Sequence, residues 1–517
     1  MFPVGRDLRA VCATAFLAVA QAGAAHAQDC EKLAQLHLPN TVVTLAQSVA
    51  AGAFRPPAGP TPPGAPGAAV FAALPAFCRL AGIIKPTPDS DIRFEVWMPA
   101  EGWNGKFVGV GNGVWAGAIP YFEMTAPLQR GYATAATDDG HQGSPLDASF
   151  AAGHPEKLID FGYRAPHEMT VGAKATIAAF YGRPASRSLF ASCSTGGRQG
   201  LMEAHRYPQD YDGISSMAPA NPMVPLMISS LWTGYVALKD SASRIPPPKF
   251  AVVHKAVVEA CDADDGVTDG VIGAPERCHF DPAVLQCKAG DAPDCLTAPQ
   301  VEALRGIYSG PKNSRTGRQI YPGFERGSEA MFPIQTAGPE PFGVSTTYMR
   351  ALVFRDPQWN FSSFDYDKDV ARALQVGSAA LDVPSAGLDS FFARGGKLLL
   401  SHGWADGLIP SMSTVSFYGA VSSRLGAAKA GQAVRLFMVP GMGHCRGGDG
   451  PFEFDVISAI DDWVAGGHAP ERIVASNPRG APPRTRPLCP YPQEAQYGGT
   501  GSTDEEKNFT CAVQREK

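Results

Sequence analysis

A serine and the two residue types that can activate its hydroxyl, an aspartate and a histidine, occur in the chain order Ser194, Asp406 and His444. A serine becomes a nucleophile when an imidazole takes its proton, and the imidazole needs a carboxylate that fixes its tautomer and stabilises its cation. Each of the three residues closely follows a predicted strand. Because the carboxyl ends of parallel strands meet at one edge of a sheet, we expect the three side chains to lie together. The pattern predicts attack by Ser194 on an acyl carbon.

Ser194 lies in the sequence Phe-Ala-Ser-Cys-Ser-Thr-Gly-Gly-Arg-Gln-Gly of residues 190–200, between a predicted strand and a predicted helix. A sharp turn here exposes its central side chain at the end of the strand, and Gly196 and Gly197 let the backbone bend without a Cβ clash. The turn resembles the nucleophile elbow of α/β-hydrolases, although Ser192 stands where the G-x-S-x-G pattern has its first glycine. The alternative is that Ser194 only caps the helix, because serine is a preferred N-cap residue.

Asp406 and His444 both lie in glycine-containing loops that follow apolar strands. Asp406 ends the sequence His-Gly-Trp-Ala-Asp, and His444 lies in Pro-Gly-Met-Gly-His-Cys after a strand predicted at 434–439. The residues alone leave two alternatives open. Asp406 also suits the cap of a helix at 407–409, and His402 also suits the role of the working histidine.

The cysteines predict an exported, disulfide-bonded protein. One of the eleven, Cys12, lies in a predicted leader, and no C-x-x-C pair indicates zinc or redox chemistry. The others predict five bridges. Cys193 precedes the candidate nucleophile and Cys445 follows the candidate histidine, so a bond between them would hold Ser194 and His444 side by side, since bridged Cα atoms lie about 5.5 Å apart. The alternative is two unrelated buried cysteines.

The order of predicted elements indicates an α/β protein. Strands are predicted at 92–98, 106–110 and 131–137, a helix at 163–181, and another strand at 211–219 after the elbow. Strands and helices that alternate in this way are typical of a mostly parallel sheet with right-handed crossovers.

Backbone donors for an oxyanion are predicted at two places. The strand at 106–110 ends in Gly-Val-Gly-Asn-Gly, residues 109–113, and a glycine-rich strand end exposes N–H groups. Thr195, directly after the nucleophile, supplies the other N–H. We therefore predict an oxyanion hole from Thr195 and Gly113. A plain β-turn is the alternative for the glycine-rich strand end.

The chain divides into four predicted parts. Residues 1–27 have the basic, apolar and Ala-x-Ala segments of a secretory signal. Residues 28–220 form the first part of the catalytic domain. Residues 221–386 have few strand patterns and many aromatics and prolines, which indicates an inserted lid over the carboxyl edge of the sheet. Residues 387–517 form the second part and a C-terminal tail.

Composition argues against two kinds of partner. The net charge is −5 and the lysines and arginines are scattered, so we expect no nucleic acid partner. After the leader no apolar run approaches the ~20 residues that span a bilayer, so we expect no membrane segment and a soluble mature protein. The 56 glycines and 46 prolines suit an α/β enzyme with long loops better than a helical bundle.

Three motifs give the chain a specific resemblance. The segments Cys-Ser-Thr-Gly-Gly-Arg-Gln (193–199), His-Gly-Trp-Ala-Asp (402–406) and Gly-Met-Gly-His-Cys (441–445) closely resemble the tannase and feruloyl esterase family, which includes mono(hydroxyethyl) terephthalate hydrolases. The resemblance covers nearly the whole mature chain. It implies an α/β-hydrolase fold with a large inserted lid domain, the triad above and a Cys193–Cys445 disulfide. The other implied pairs are Cys30–Cys78, Cys261–Cys278, Cys287–Cys295 and Cys489–Cys511.

The resemblance also implies a structural Ca²⁺ site in the lid, within Cys261–Ile272. Carboxylates closely spaced on a glycine-turned loop make an oxygen cage of the kind that Ca²⁺ binds. The implied ligands are the side chains of Asp262, Asp265 and Asp269 and the carbonyls of Val267 and Val271. The alternative is an acidic, solvated loop.

The combined interpretation is a secreted or periplasmic serine carboxylesterase that acts on a small-molecule ester. The resemblance implies that its substrates are esters of aromatic acids, with ferulate as the model acid. Galloyl esters and mono(hydroxyethyl) terephthalate are the alternative substrates, and the latter needs a cation such as Arg350 or Arg355. A non-catalytic protein that binds aromatic ligands is the alternative of another class. A metallohydrolase with His402, His444 and Asp406 as ligands has unsuitable spacing. No oligomeric state is predicted.

Overall fold

The structure is a computed structural model that describes residues 1–2, 29–57, 69–477 and 483–513. The predicted leader, residues 1–27, lies outside the described residues except for its first two. Within the described ranges, no helix is both long enough and apolar enough to cross a lipid bilayer.

A nine-stranded sheet forms the centre of the molecule. Its strands lie in the order β1-β2-β3-β5-β4-β6-β7-β8-β9, and the strands from β5 to β9 in that order are all parallel. The mostly parallel sheet that the sequence predicts is therefore confirmed. The strands are β1 (Thr41–Val49), β2 (Phe77–Ile84), β3 (Ile92–Pro99), β4 (Lys106–Gly109), β5 (Ala133–Thr137), β6 (Arg187–Cys193), β7 (Gly213–Met217), β8 (Lys397–Gly403) and β9 (Val434–Val439). Two hairpins follow near the C-terminus, β10 (Ile473–Asn477) with β11 (Arg484–Leu488) and β12 (Glu494–Tyr497) with β13 (Phe509–Ala512).

Strands β1 and β2 are an addition that the sequence pattern did not predict. They extend the sheet in antiparallel fashion, β1 on β2 and β2 on β3. A register shift between Val43 and Leu45 interrupts β1, and Val42 leaves 64% of its surface exposed. The irregularity breaks the period-two alternation from which a strand is recognised.

Helices cover both faces of the sheet because its central strands are apolar on both sides. Leu398 and Leu400 of β8 pack into one core with α4, α5 and α13, whereas Leu399 between them packs into a second core with α15. This is the pattern of a buried parallel strand. The helices are α1 (Ala69–Ala72), α2 (Thr125–Gln129), α3 (Pro155–Ile159), α4 (Ala165–Tyr181), α5 (Thr195–Arg206), α6 (Met223–Leu238), α7 (Pro247–Cys261), α8 (Ala298–Ser309), α9 (Phe332–Thr336), α10 (Gly343–Tyr348), α11 (Lys368–Leu381), α12 (Asp389–Ala393), α13 (Met412–Leu425), α14 (Ala427–Ala433) and α15 (Val456–Gly466).

Residues 218–396, between β7 and β8, contain helices α6 to α12, and no part of this described segment joins the nine-stranded sheet. We call this segment the insertion. Most of its aromatic side chains are core residues; Tyr348, for example, is fully buried and stacks against Trp115 of the sheet domain. The core of the insertion is thus continuous with that of the sheet domain.

Five disulfides join the described cysteines. The pairs are Cys30–Cys78, Cys193–Cys445, Cys261–Cys278, Cys287–Cys295 and Cys489–Cys511. These are the pairs that the family resemblance implies.

Candidate active site

Ser194 occupies a sharp turn between β6 and α5. Its φ of 64° and ψ of −126° lie in a region that residues other than glycine rarely adopt, and its N–H donates to the carbonyl of Met217 at 3.0 Å. Gly196 is required at this turn, since a Cβ there would lie 2.1 Å from Oγ of Ser192. The serine in place of the usual first glycine therefore fits because Gly196 leaves room for it.

The structure brings the three predicted triad residues into one hydrogen-bonded chain. Ser194 Oγ lies 2.9 Å from Nε2 of His444, and Nδ1 of His444 lies 2.7 Å from Oδ2 of Asp406. The hydroxyl can donate to the imidazole while the other ring N–H donates to the carboxylate. Burial alone would raise the pKa of Asp406, but its bonds with His444 and His402 hold it well below its usual range. The arrangement can therefore activate Ser194 by general-base catalysis.

His402 lies on the far side of Asp406. Its Nε2 is 3.1 Å from Oδ2 of Asp406, and its Nδ1 is 2.7 Å from the hydroxyl of Thr414. The side chain is fully buried. The residue that contacts Ser194 is thus His444 and not His402. His402 is a second hydrogen-bond partner of the Asp406 carboxylate.

The Cys193–Cys445 disulfide lies directly beside the hydrogen-bonded pair. Its Cα atoms are 6.0 Å apart although the residues are separated by 252 positions in sequence. The bond ties the end of β6 to the loop that follows β9. Ser194 and His444 are consequently held on two covalently connected loops.

The glycine-rich loop after β4 packs directly against the start of α5. The carbonyl of Asn112 accepts a hydrogen bond from Gly196 N–H at 2.7 Å, and the Thr195 hydroxyl donates to the carbonyl of Val114 at 2.7 Å. Among the described residues, the N–H groups of Thr195 and Gly113 donate to no acceptor. Thr195 directly follows Ser194, and Gly113 follows Asn112, whose carbonyl bonds to the first turn of α5, so both predicted oxyanion donors lie on segments that pack together at the elbow.

Gln199 and Asn112 hold this loop in place, and sequence reasoning missed both. Gln199 Oε1 accepts from the N–H of Asn112 at 3.0 Å, and its Nε2 donates to Asp139 at 2.6 Å. The Asn112 amide in turn donates to the carbonyl of Thr137 at 2.8 Å. A Cβ on Gly111 would lie 2.2 Å from Gln199 Oε1, so glycine is required there. The position of Gln199 within the elbow motif was the only available signal.

The insertion contacts the loops that carry Asp406 and His444. The backbone N–H of His444 donates to Sδ of Met331 at 3.3 Å, and the Gln335 amide donates to the carbonyl of Gly407 at 2.7 Å. A Cβ on Gly407 would meet the Met331 side chain at 2.6 Å. The insertion therefore supports the triad loops from one side.

A charged histidine makes a further link between the insertion and the His444 loop. His254 of α7 contacts Glu329 at 3.0 Å through Nδ1 and Asp449 at 2.7 Å through Nε2. Bonds to these two carboxylates raise the pKa of His254 to about 10, so the imidazole is a cation at neutral pH. The N–H of Asp449 donates to the carbonyl of Gly441, which places the link at the base of the His444 loop.

The predicted cation loop has donors that fit Ca²⁺. Asp262 and Asp265 are largely buried, and burial together with the nearby carboxylates of Asp269 and Asp262 raises the pKa of Asp265 to about 6. The buried carbonyls of Val267 and Val271 accept no hydrogen bond from any described residue. Unbonded buried carbonyls beside clustered carboxylates form an all-oxygen set that suits a hard cation. Asp269 also pairs with Arg486, which offsets part of the negative charge.

The fold and site together define the class of protein. A mostly parallel sheet covered by helices, with Ser194 on a strand-to-helix turn, is an α/β-hydrolase fold. The sequence model described as "Tannase and feruloyl esterase" matches residues 78–512. The chain belongs to the tannase and feruloyl esterase family and is a carboxylic ester hydrolase.

Individual relatives resemble the chain over nearly its full length. It is 39% identical to an uncharacterized esterase of Xanthomonas campestris pv. campestris, over 96% of this chain and 92% of that protein. It is 34% identical to the mono(2-hydroxyethyl) terephthalate hydrolase of Piscinibacter sakaiensis, over 87% of each. The crystal structure of feruloyl esterase B from Aspergillus oryzae matches with a TM-score of 0.83 at 28% identity, over 93% of this chain and 99% of that one.

Proposed function

We propose that the chain is a serine esterase that hydrolyses esters of aromatic acids through an acyl-enzyme. The observation that carries the proposal is the hydrogen-bonded chain from Ser194 through His444 to Asp406, with distances of 2.9 and 2.7 Å. This geometry supports general-base activation of the serine without further rearrangement.

In the first half-reaction, Nε2 of His444 takes the proton of Ser194 as Oγ bonds to the ester carbonyl carbon. The N–H groups of Thr195 and Gly113 stabilise the negative carbonyl oxygen. When the carbon–oxygen bond to the alcohol breaks, the imidazolium gives its proton to the leaving alkoxide. In the second half-reaction His444 deprotonates a water, which attacks the acyl carbon. The bond to Oγ breaks, the proton returns to Ser194, and the acid is released.

Two observations bear on the identity of the acid. The relatives above include proteins named feruloyl esterase and mono(2-hydroxyethyl) terephthalate hydrolase, both of which act on aromatic acid esters. A terephthalate monoester needs a cation for its free carboxylate. The guanidinium of Arg350 donates to both oxygens of Glu340, at 2.9 and 2.7 Å, and is therefore already paired within the insertion. Arg350 is therefore not free to pair with such a carboxylate, whereas Arg355, the other candidate, is exposed. We propose ferulate as the acid on the similarity to feruloyl esterase B.

A substrate panel tests the proposal. Release of free acid from methyl ferulate, methyl gallate and mono(2-hydroxyethyl) terephthalate is followed by liquid chromatography under equal conditions. We expect the highest kcat/KM with methyl ferulate. A clear preference for either other ester would reassign the acid, and binding of the free acids without cleavage of any ester would establish the non-catalytic alternative.

Gln199→Met should lower kcat by about 10- to 100-fold and change KM by less than about threefold, because the oxyanion loop loses its anchor while substrate binding surfaces remain. Steady-state kinetics with the preferred ester measure both constants. Gln300→Met is the matched control, since Gln300 is a buried glutamine of α8 that lies in the insertion and caps that helix. An equal loss of kcat in both variants would contradict the positioning role of Gln199.

Export from the cytoplasm belongs to the same proposal. Disulfides form and persist in oxidising compartments and are rare in the cytosol, so the five disulfides support a secreted or periplasmic location. The predicted leader at 1–27 would direct that export.

We further propose that Asp262, Asp265, Asp269 and the carbonyls of Val267 and Val271 hold a structural Ca²⁺. Dialysis against a chelator should lower Tm by several degrees, because the clustered carboxylates lose their counter-ion, and added Ca²⁺ should restore it. Asp265→Asn should abolish the calcium-dependent part of Tm, whereas Asp264→Asn, in the same loop, should keep it. A Tm that is indifferent to chelator and Ca²⁺ would refute the site.

A further inference from the structure

A cluster of His, Glu and Asp lies at the far end of the nucleophile helix from Ser194. His167 comes from the first turn of α4, Glu203 from the last turn of α5, and Asp210 from the turn between α5 and β7. One potential ligand atom of each residue lies within 4.8 Å of the other two. Glu203 is about 13 Å from Ser194 along the helix axis, at a rise of 1.5 Å per residue. The cluster is therefore separate from the triad.

Glu203 is the unusual member of this cluster. Its side chain is only 1% exposed, and its Oε2 has no hydrogen-bond partner among the described residues. The carboxylate of Glu203 lies against that of Asp210. Two buried carboxylates in contact are stable only when a proton or a cation lies between them.

The groups around the two carboxylates do not fully balance their charge when His167 is neutral. Nδ1 of His167 lies 2.6 Å from Oδ2 of Asp210, and the imidazole stacks on the Tyr207 ring at 3.6 Å, which sets its orientation. The ammonium of Lys174 is bonded to the backbone carbonyl of Asp210 and not to either carboxylate. When both carboxylates are ionised and the His167 imidazole is neutral, the charge of Lys174 offsets only one of the two negative charges.

We propose that His167, Glu203 and Asp210 bind a divalent transition-metal ion of the Zn²⁺ type, which cross-links α4, α5 and the turn before β7. One imidazole nitrogen with two carboxylate oxygens is a ligand set that Zn²⁺ accepts, whereas Ca²⁺ requires six to eight oxygens. The metal takes the place of the proton between His167 and Asp210 and binds the unpaired oxygen of Glu203. The His167 side chain is 26% exposed, so a water completes the coordination from solvent.

Calorimetric titration of the full chain with ZnCl₂ tests the site. The protein is first freed of metals with a chelator and then kept in excess Ca²⁺, so that the loop at 262–271 does not compete for zinc. We expect one equivalent of zinc to bind. His167→Gln and Glu203→Gln should each weaken binding by at least about 100-fold, since each removes one of three ligands. Glu168→Gln, which removes a neighbouring carboxylate outside the cluster, should bind zinc like the wild type.

The His167 side chain is partly exposed, so His167→Gln removes a proposed ligand without changing a buried residue, whereas Glu203→Gln changes one. A second readout is Tm, which zinc should raise in the wild type and in Glu168→Gln but not in His167→Gln. Failure of the wild type to take up zinc would overturn the proposal and leave a shared proton between Glu203 and Asp210. Stoichiometric zinc binding that survives in His167→Gln would also overturn it, since the metal would then occupy another site.

Discussion

Ser194→Ala is expected to lower kcat for the preferred ester by at least about 10,000-fold, because the attacking hydroxyl is lost and only oxyanion stabilisation and binding remain. KM should change little, since the hydroxyl contributes to the reaction and not to substrate binding. Initial rates of acid release, with far more enzyme for the variant than for the wild type, measure the loss. A circular dichroism melt shows whether the variant is folded.

Ser192→Ala is the matched control, because it removes a hydroxyl from the same turn two residues before the candidate nucleophile. It should keep most of the wild-type kcat. Reaction with an organophosphonate provides independent evidence, since the adduct should appear by mass spectrometry on the peptide that contains Ser194 and be absent in Ser194→Ala. Activity of Ser194→Ala above about 1% of wild type would exclude an effect of the expected size and rule out Ser194 as the nucleophile.

Asp406→Asn is expected to lower kcat by about 10,000-fold, the size of effect that follows when the triad carboxylate can no longer fix the imidazole tautomer. The amide keeps the shape of the carboxylate but presents an N–H donor where His444 needs an acceptor, so the imidazole is held in the wrong tautomer. The lost negative charge also no longer stabilises the imidazolium. Steady-state kinetics at neutral pH measure the effect, with KM expected to stay near the wild-type value.

His402→Gln distinguishes the two histidines that contact Asp406. It removes one hydrogen bond to a charged group, which contributes about 1.5–3 kcal/mol, so we expect a loss in kcat of about 10- to 100-fold. His444→Gln should instead match the loss in Ser194→Ala. If His402→Gln were as damaging as His444→Gln and left Tm unchanged, the assignment of His444 as the base would be wrong.

The residues of the candidate triad were predictable because each carries a local signal. The elbow around Ser194 is encoded by small residues within one turn, and Asp406 and His444 follow short apolar runs that are typical of buried strands. The positions of Cys193 and Cys445 beside Ser194 and His444 made their pairing plausible, and the family resemblance implied it. Strand β1 was not predictable, since the shift between Val43 and Leu45 breaks its alternation.

The supporting residues were not predictable, because their partners are distant in sequence. Gln199 contacts Asn112 and Asp139, which lie 87 and 60 positions earlier in the chain. Met331 reaches the backbone of His444 across 113 positions. A glutamine or methionine in an amphipathic segment has many possible partners, and no local pattern selects among them.

The sequence by itself determined which chemical groups this protein can use: a serine on an elbow, a carboxylate and imidazoles at strand ends, and ten paired cysteines beyond the leader. These groups can be recognised from the sequence because each lies in a short segment whose backbone conformation depends mainly on the residues next to it in the chain. Only the tertiary structure decided that His444 and not His402 meets Ser194, because both histidines lie at or after strand ends and the order of strands in the sheet sets their positions. It also decided that Gln199 anchors the oxyanion loop and that Glu203 is buried against Asp210, since both results depend on the packing of α5 against its neighbours.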